Sequence, residues 1–341
     1  IKDLKKRAEE TRKKAEKHKR SFNSEDRENR RRWYREAREL RKEAQDTESF
    51  LIEKVIAKSQ VVCTTLIGSD HEMLRQFKFK TVFIDEAGQA LIPAALTPLK
   101  RAYKLVLAGD PFQLPPLVKN NDAAKRGLSN SLIEIIMNYA PARANTLKTQ
   151  YRMDEKIMSF SNTQFYDNEL IAHDSVKNHG LENDGFSPLE FIDTAGCNYE
   201  EKFSERGKSL TNPEEANLLF KRLEELLLIH AELSVGVISP YRGQANLISE
   251  LLEETSAQVN TVDAFQGREK DIILVSLVRS NEEGIIGFLS DYRRMNVAMT
   301  RARKKLVVIG DSATVGNDKF FSDFLEHVEK EGSYRSAWEY M

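Results

Sequence analysis

The stretch TVFIDEAGQALIPAALTPLKRAYKLVLAGDPFQLPPL, residues 81–117, decides the reading of this chain. An apolar run, Val82–Ile84, ends in two adjacent carboxylates, Asp85 and Glu86. A second, Leu105–Ala108, ends in Gly109-Asp110 and a proline-stiffened loop that carries Gln113. Two buried-strand signals that each release polar residues at the C-terminal end are the pattern of a nucleotide-binding α/β sheet. A carboxylate in that position can hold Mg²⁺ through its water shell, and its neighbour can orient or deprotonate an attacking water. The alternative is a solvated acidic pair in a turn, and the position after an apolar run argues against it.

On both sides of this stretch, short apolar runs alternate with helical patterns. Residues 61–68, VVCTTLIG, read as a β-branched strand ending in glycine. Helical periodicity covers 128–139 and 213–231, the latter with Pro213 in its first turn. Strands are expected at 189–194, from 235 and within 259–280, with a helix to about 254, and 291–311 reads as a helix followed by another buried strand. Short strands alternating with helices predict mostly parallel sheets. A division into two α/β domains is placed at about residue 145.

The N-terminal end differs in kind. Residues 1–20 and 25–45 read as two charged helices broken at Ser21–Ser24, followed by a third from Thr47 to Ala57. Their few apolar positions suggest a projecting hairpin rather than a core element. The whole chain of 341 residues has a formal net charge of −1, but residues 1–50 hold 18 Lys and Arg against 12 Asp and Glu. Such an imbalance marks either a nucleic-acid or partner surface or a solvated helix face. The two cysteines cannot form a disulfide framework, which points to a reducing compartment. The longest apolar run, Ile272–Val278, is strand-sized, and no membrane span is expected.

Further candidates follow in order. In QYRM (150–153), Tyr151 offers a ring that can stack on a base, and Arg152 a fork for a phosphate that gains charge; an ordinary helix start reads the same way. Gln113 suits a sensor of a γ-phosphate or an attacking water. AFQGREKD (264–271) offers Gly267 for close backbone approach and Glu269 as a ribose acceptor. In NVAMTRARKK (296–305), Arg301 and Arg303 either cap helix carbonyls or act as arginine fingers.

Taken together and in this order, DEAGQA, GDPFQLPP, QYRM, VDAFQGREKD and NVAMTRARKKLVVIGD resemble motifs II to VI of a superfamily 1 helicase. They are closest to its 5′→3′ group, which contains the nonsense-mediated-decay and immunoglobulin μ-binding helicases. SPYRGQ, DTAGC and RSN strengthen the likeness to the second of these. The resemblance runs from about 55 to 311. It implies two RecA-like parallel-sheet domains of the P-loop NTPase class that clamp ATP and Mg²⁺ between them, with single-stranded DNA or RNA across one face. Residues 1–54 would be a basic helical insertion in the first domain, 55–145 the remainder of that domain, and 146–341 the second. By the same likeness Asp85 and Glu86 are the Mg²⁺ and water-activating pair, and Gln113 the γ-phosphate sensor. Tyr151 stacks on adenine, Arg152 and Arg301 meet the γ-phosphate, and Gly267 and Glu269 lie along the nucleotide. Pro115, Ser239, Tyr241 and Thr261 fall where the family touches the nucleic-acid backbone.

One family element is missing. A Walker A loop belongs upstream of the basic hairpin, and no GxxxxGK[ST] occurs in the chain. Gly207-Lys208-Ser209 is no substitute, because Lys202 stands where the first glycine is required. The expectation is therefore a C-terminal portion of a helicase whose first domain is incomplete and which hydrolyses little ATP alone. Its partner would be the N-terminal part of the same protein. The alternative is a non-catalytic nucleic-acid-binding module on the same fold. The expected location is the cytoplasm, or the nucleus of a eukaryote.

Overall fold

A computed structural model describes residues 1–17, 23–182, 185–204, 208–253 and 255–340. Gly207 and the Ser21-Phe22 pair, which figure in the sequence reading, lie outside the described residues. The chain divides into two compact units, Ile1–Asp85 with Ile92–Ala108, and Glu86–Leu91 with Gly109–Met341.

The first unit begins with two antiparallel helices, α1 (Lys2–Glu16) and α2 (Ser24–Lys58). Ala8 and Ala15 on α1, and Ala37 and Ala44 on α2, are buried at seven-residue spacing, so the helices meet through a seam of small residues. An ion pair of 2.7 Å joins Lys5 near the start of α1 to Glu48 far along α2. The expected break before Thr47 is absent. Thr47 Oγ1 donates back to the Glu43 carbonyl at 2.7 Å within one continuous helix instead of capping a new one. A capping box at Asn23 and Asp26 starts α2.

Residues 61–66 are not the expected strand; they form no regular element, and Val61 is 77% exposed. A β-branched run becomes a strand only beside a partner that takes its backbone hydrogen bonds. The expected β-α-β unit does form: β1 (Phe79–Ile84), α3 (Ile92–Leu99) and β2 (Ala102–Leu107), with the strands parallel and Ile84 opposite Leu107.

The second unit holds a six-stranded, all-parallel sheet. Its strands are β3 (Leu189–Asp193), β4 (Val235–Ser239), β5 (Gln258–Thr261), β6 (Lys270–Ser276), β7 (Ala302–Gly310) and β8 (Ser333–Ser336). Their spatial order is β8-β3-β7-β6-β4-β5. β6 and β7 are central and apolar on both faces, as continuous β-branched runs require. One face presents Phe191, Ile273, Val275 and Val308 to α8 (Tyr292–Met299) and α9 (Lys319–Glu331). The other presents Val237, Leu274 and Ile309 to α6 (Pro213–Ile229) and α7 (Arg242–Leu251). Two shorter helices precede the sheet, α4 (Leu132–Tyr139) and α5 (Glu155–Phe165). The α/β class with parallel sheets is as the sequence implied.

Beyond β6 the backbone makes an unusual turn. Val278 has φ of 72°, a conformation that costs a β-branched residue free energy and must be held by its surroundings. Glu215 Oε1 holds it, accepting from the Val278 amide at 3.0 Å and the Ser276 hydroxyl at 2.5 Å. Glu215 is fully buried and its Oε2 has no hydrogen-bond partner among the described residues. Burial pushes its carboxyl up from 4.5 to about 7, against the hydrogen bonds from Ser276 and Val278. Between these values the folded chain keeps a proton that the unfolded chain has lost, so stability falls as pH rises through the window. The expected slope is about 1.4 kcal/mol per pH unit at its steepest. Denaturant unfolding at a series of pH values from 5 to 8 measures it, and Glu215→Gln should flatten the decline. A decline of equal size in that variant would place its origin elsewhere.

Candidate active site

The site is built around two loops that the sequence placed at strand ends. Asp85 follows β1 in the first unit. Glu86, the first residue of the second unit, has φ 52° and ψ 40°, the left-handed region that a non-glycine residue adopts at an energetic cost. Its Oε2 accepts from Gln89 Nε2 at 3.0 Å. Two glycines let the Glu86 loop abut the 109–117 loop. A Cβ on Gly88 would stand 2.8 Å from the Asp110 carbonyl oxygen, and one on Gly109 would stand 2.9 Å from the Ala87 nitrogen.

Asp110 organises the second loop. Its Oδ1 accepts from the Phe112 amide at 2.9 Å, and its Oδ2 from Gln113 Nε2 at 3.0 Å and the Tyr166 hydroxyl at 2.6 Å. Burial, then the adjacent Asp110 carboxylate, push the Tyr166 phenol well above its ordinary range, which keeps it a donor. Asn296 on α8 donates to the Tyr166 oxygen at 3.0 Å and to the Phe112 carbonyl at 2.9 Å. Arg293, also on α8, pairs with Glu134 at 3.0 Å.

With its amide nitrogen on Asp110, Gln113 turns its Oε1 towards Arg301, whose Nη2 donates at 3.4 Å. Arg301 is 2% exposed and also donates from Nε to the Val297 carbonyl at 3.0 Å. Burial, then the neighbouring Arg152 cation, pull its guanidinium down to about 10; Glu86 and Glu269 oppose the shift. It stays charged at neutral pH. Arg152 Nε donates to Glu269 at 2.6 Å, and its Nη1 to the Thr300 carbonyl at 3.2 Å. Arg301–Gln113 and Arg152–Glu269 are thus bonded within the second unit, to which Glu86 also belongs, whereas the sequence reading divided these residues between two domains.

The remaining candidates divide. Tyr151 is 63% exposed, its ring 4.4 Å from that of His173, so one face is free for a flat ligand. Gly267 has φ 74° and open space above its Cα. Glu269, read as a ribose acceptor, is here the partner of Arg152. Pro115 and Thr261 are partly exposed. Ser239 and Tyr241 are buried, at 0% and 3%, with the Tyr241 hydroxyl accepting from the Phe288 amide at 3.3 Å. As folded here, neither offers its side chain to an external strand. Sequence reading missed Asp110, Tyr166 and Asn296 as a bonded set. Their partners lie far away along the chain, and only the Gly-Asp at a strand end was a local signal.

A carboxylate at the end of a strand, as Asp85 is, fits Mg²⁺ held through water and completed by phosphate oxygens. Among the described residues no group of three or more His, Cys, Asp and Glu side chains could cage a metal by itself. No helix among them is long and apolar enough to cross a membrane.

Two family models described as AAA domain match, one over residues 128–313 and the other over 1–121. DNA-binding protein SMUBP-2 of Mesocricetus auratus is 36% identical over 89% of this chain and 32% of its own length. DNA polymerase alpha-associated DNA helicase A of Saccharomyces cerevisiae is 36% identical over 89% of this chain and 50% of its own. DNA replication ATP-dependent helicase/nuclease dna2 of Schizosaccharomyces pombe is 35% identical over 80% and 21%. The chain thus spans half or less of the length of these relatives.

Proposed function

The chain belongs to the AAA-domain family of superfamily 1 helicases, and from that premise we propose that it is part of an ATP-dependent 5′→3′ helicase or single-strand translocase acting on DNA or RNA. The observation that carries this reading is the set Glu86, Gln113, Arg152, Glu269 and Arg301, bonded through Arg301–Gln113 and Arg152–Glu269. A pure binding module has no use for two arginines, a carboxylate and an amide sensor on one site.

In this proposal residues 55–145 belong to the first RecA-like domain and 146–341 form the second. Mg²⁺, held by Asp85 through water, would neutralise charge on the ATP phosphates. Glu86 activates or orients the attacking water, and its left-handed backbone aims the carboxylate. Tyr151 stacks on the base, and Gly267 leaves room beside it. Arg152 and Arg301 stabilise charge on the γ-phosphate, which requires each to exchange a present partner for phosphate oxygen. Gln113, tied to Asp110 and through it to Tyr166 and α8, transmits the state of that phosphate to the loop carrying Pro115.

The phosphate cradle would come from the N-terminal part of the same protein, the proposed partner, since no Walker A sequence occurs here. The chain alone is therefore expected to show at most trace ATP turnover with saturating single-stranded DNA, unchanged by Asp85→Ala with Glu86→Ala. Robust turnover that the double variant abolishes would overturn the proposed inactivity. In a longer protein that carries GxxxxGK[ST], turnover should appear and be lost in Glu86→Gln. Persistence there would overturn the catalytic role of Glu86.

A further inference from the structure

Helix α2 carries a feature that the ATP chemistry does not use. Arg27, Arg31, Arg35, Arg38 and Lys42 are all exposed. At 3.6 residues per turn they fall within a wedge of roughly 80° of the helix surface, over a length of about 22 Å. The buried Ala37 and Ala44, which meet α1, lie on a different side of the helix. None of the five has a carboxylate within 4.0 Å among the described residues. Three cations of α1 do have such partners: Lys5 pairs with Glu48 at 2.7 Å, Arg12 with Glu16 at 2.6 Å and Lys13 with Glu9 at 3.0 Å.

A helix that is merely solvated laces opposite charges at i and i+4. Here Glu39 and Asp46 follow Arg35 and Lys42 by four residues without forming an ion pair, the acids Glu28, Glu36, Glu39, Glu43 and Asp46 fall to one side of the wedge, and like charges adjoin within it. Arg27 precedes Arg31, Arg31 precedes Arg35, and Arg38 precedes Lys42, each by four residues. Each such pair destabilises the helix by about 0.2–0.5 kcal/mol. An arrangement that repels itself along about four turns is relieved by an anionic partner.

We propose that this stripe is a docking rail for the phosphodiester backbone of nucleic acid. Three observations choose that partner. The charges repeat at a rise of about 6 Å per four residues, a regular one-sign array facing another. Four of the five are arginines, whose planar forks suit phosphate oxygens. The wedge contains no apolar residue, which a helix lying on a lipid surface requires. The contacts read no sequence, because phosphate contacts position a strand without identifying its bases. The proposal deepens the helicase reading by giving the basic hairpin a face, but it needs no nucleotide chemistry.

The test is equilibrium binding of the complete chain to a labelled single-stranded oligonucleotide and to its duplex across a salt series, without nucleotide. In the variant Arg31→Gln, Arg35→Gln, Arg38→Gln, Lys42→Gln, the slope of log K against log salt should shrink by roughly 3, at about 0.7–0.9 for each phosphate that is no longer neutralised. Glutamine keeps helix propensity, and circular dichroism checks that α2 persists. The variant Arg31→Lys, Arg35→Lys, Arg38→Lys, with Lys42 unchanged, should retain most of the slope. Neutralising the paired Lys5, Arg12 and Lys13 should leave it almost unchanged. An unchanged slope in the glutamine variant, or an equal loss on neutralising the paired cations, would overturn the rail while leaving the ATP-site reading intact. Failure of the wild-type chain to bind either nucleic acid would overturn it too.

Discussion

Replacing Arg301 by alanine in the longer, ATP-hydrolysing protein is expected to slow turnover by roughly 10³–10⁵, the range over which arginine fingers act in phosphoryl transfer. Nucleotide affinity should change far less, because the guanidinium matters most where charge gathers on the transferring phosphoryl group. The cation persists at neutral pH, its acidity raised only to about 10 by burial and by Arg152, so the loss should not vary between pH 6 and 8. A second role must be separated from the first. Arg301 also ties α8 to the 109–117 loop through Val297, Thr300 and Gln113, and its removal leaves a hole in a buried place. Gln113→Ala cuts the loop tie but leaves the cation in place. If catalysis depends on the charge, Gln113→Ala should be much milder than Arg301→Ala, and Arg301→Lys should bind nucleotide yet remain slow for want of the planar fork. Turnover within tenfold of wild type in Arg301→Ala, with an unchanged melting curve, would end the assignment.

The polar ends of β1 and β2 were legible because a strand's terminus is fixed by a few neighbouring residues, and those residues are the ones proposed to carry the chemistry. Asp85, Glu86, Asp110 and Gln113 needed no long-range information to be placed on loops at strand ends. The backbone of Glu86 was not legible. Its φ of 52° accompanies a close approach of Gly88 and Gly109 to the facing loop, which no local propensity encodes. The 61–66 run failed for the complementary reason. Its composition favours a strand, but strand formation is a contract between two segments, and in this fold no described segment pairs with it. Thr47 failed through an ambiguity of chemistry, since one hydroxyl can cap a helix or bond back inside it. Tyr166 and Asn296 share a hydrogen bond across 130 residues, and neither stands out in its own window.

Glu190 is the most consequential residue that sequence reading passed over, and its replacement should produce the largest loss of stability in the chain. In LEFID it reads as the outward position of a half-exposed strand, yet it is 0% exposed. Lys305 at the start of the buried run of β7 reaches it at 2.6 Å, and Arg222 of α6 at 2.8 Å. Arg335 of β8 approaches at 3.7 Å and also lies 4.0 Å above the Phe186 ring. One buried carboxylate thus stands against three cations, from β7, β8 and α6, at the seam where these elements meet β3. Glu190→Gln keeps the shape and deletes the charge, leaving Lys305 and Arg222 desolvated without it. The expected loss is about 3–5 kcal/mol, the usual consequence of breaking a buried pair from one side. For a unit of this size that is a drop in melting temperature of roughly 10 °C. Lys305→Met should destabilise too. In the double variant Glu190→Met with Lys305→Met the losses should fall well short of additive, because no buried lysine then faces a missing carboxylate. A Glu190→Gln variant that melts within two or three degrees of wild type would show that water or a rotated Glu225 already neutralises these cations. The cluster would then be a consequence of the packing rather than a condition for it.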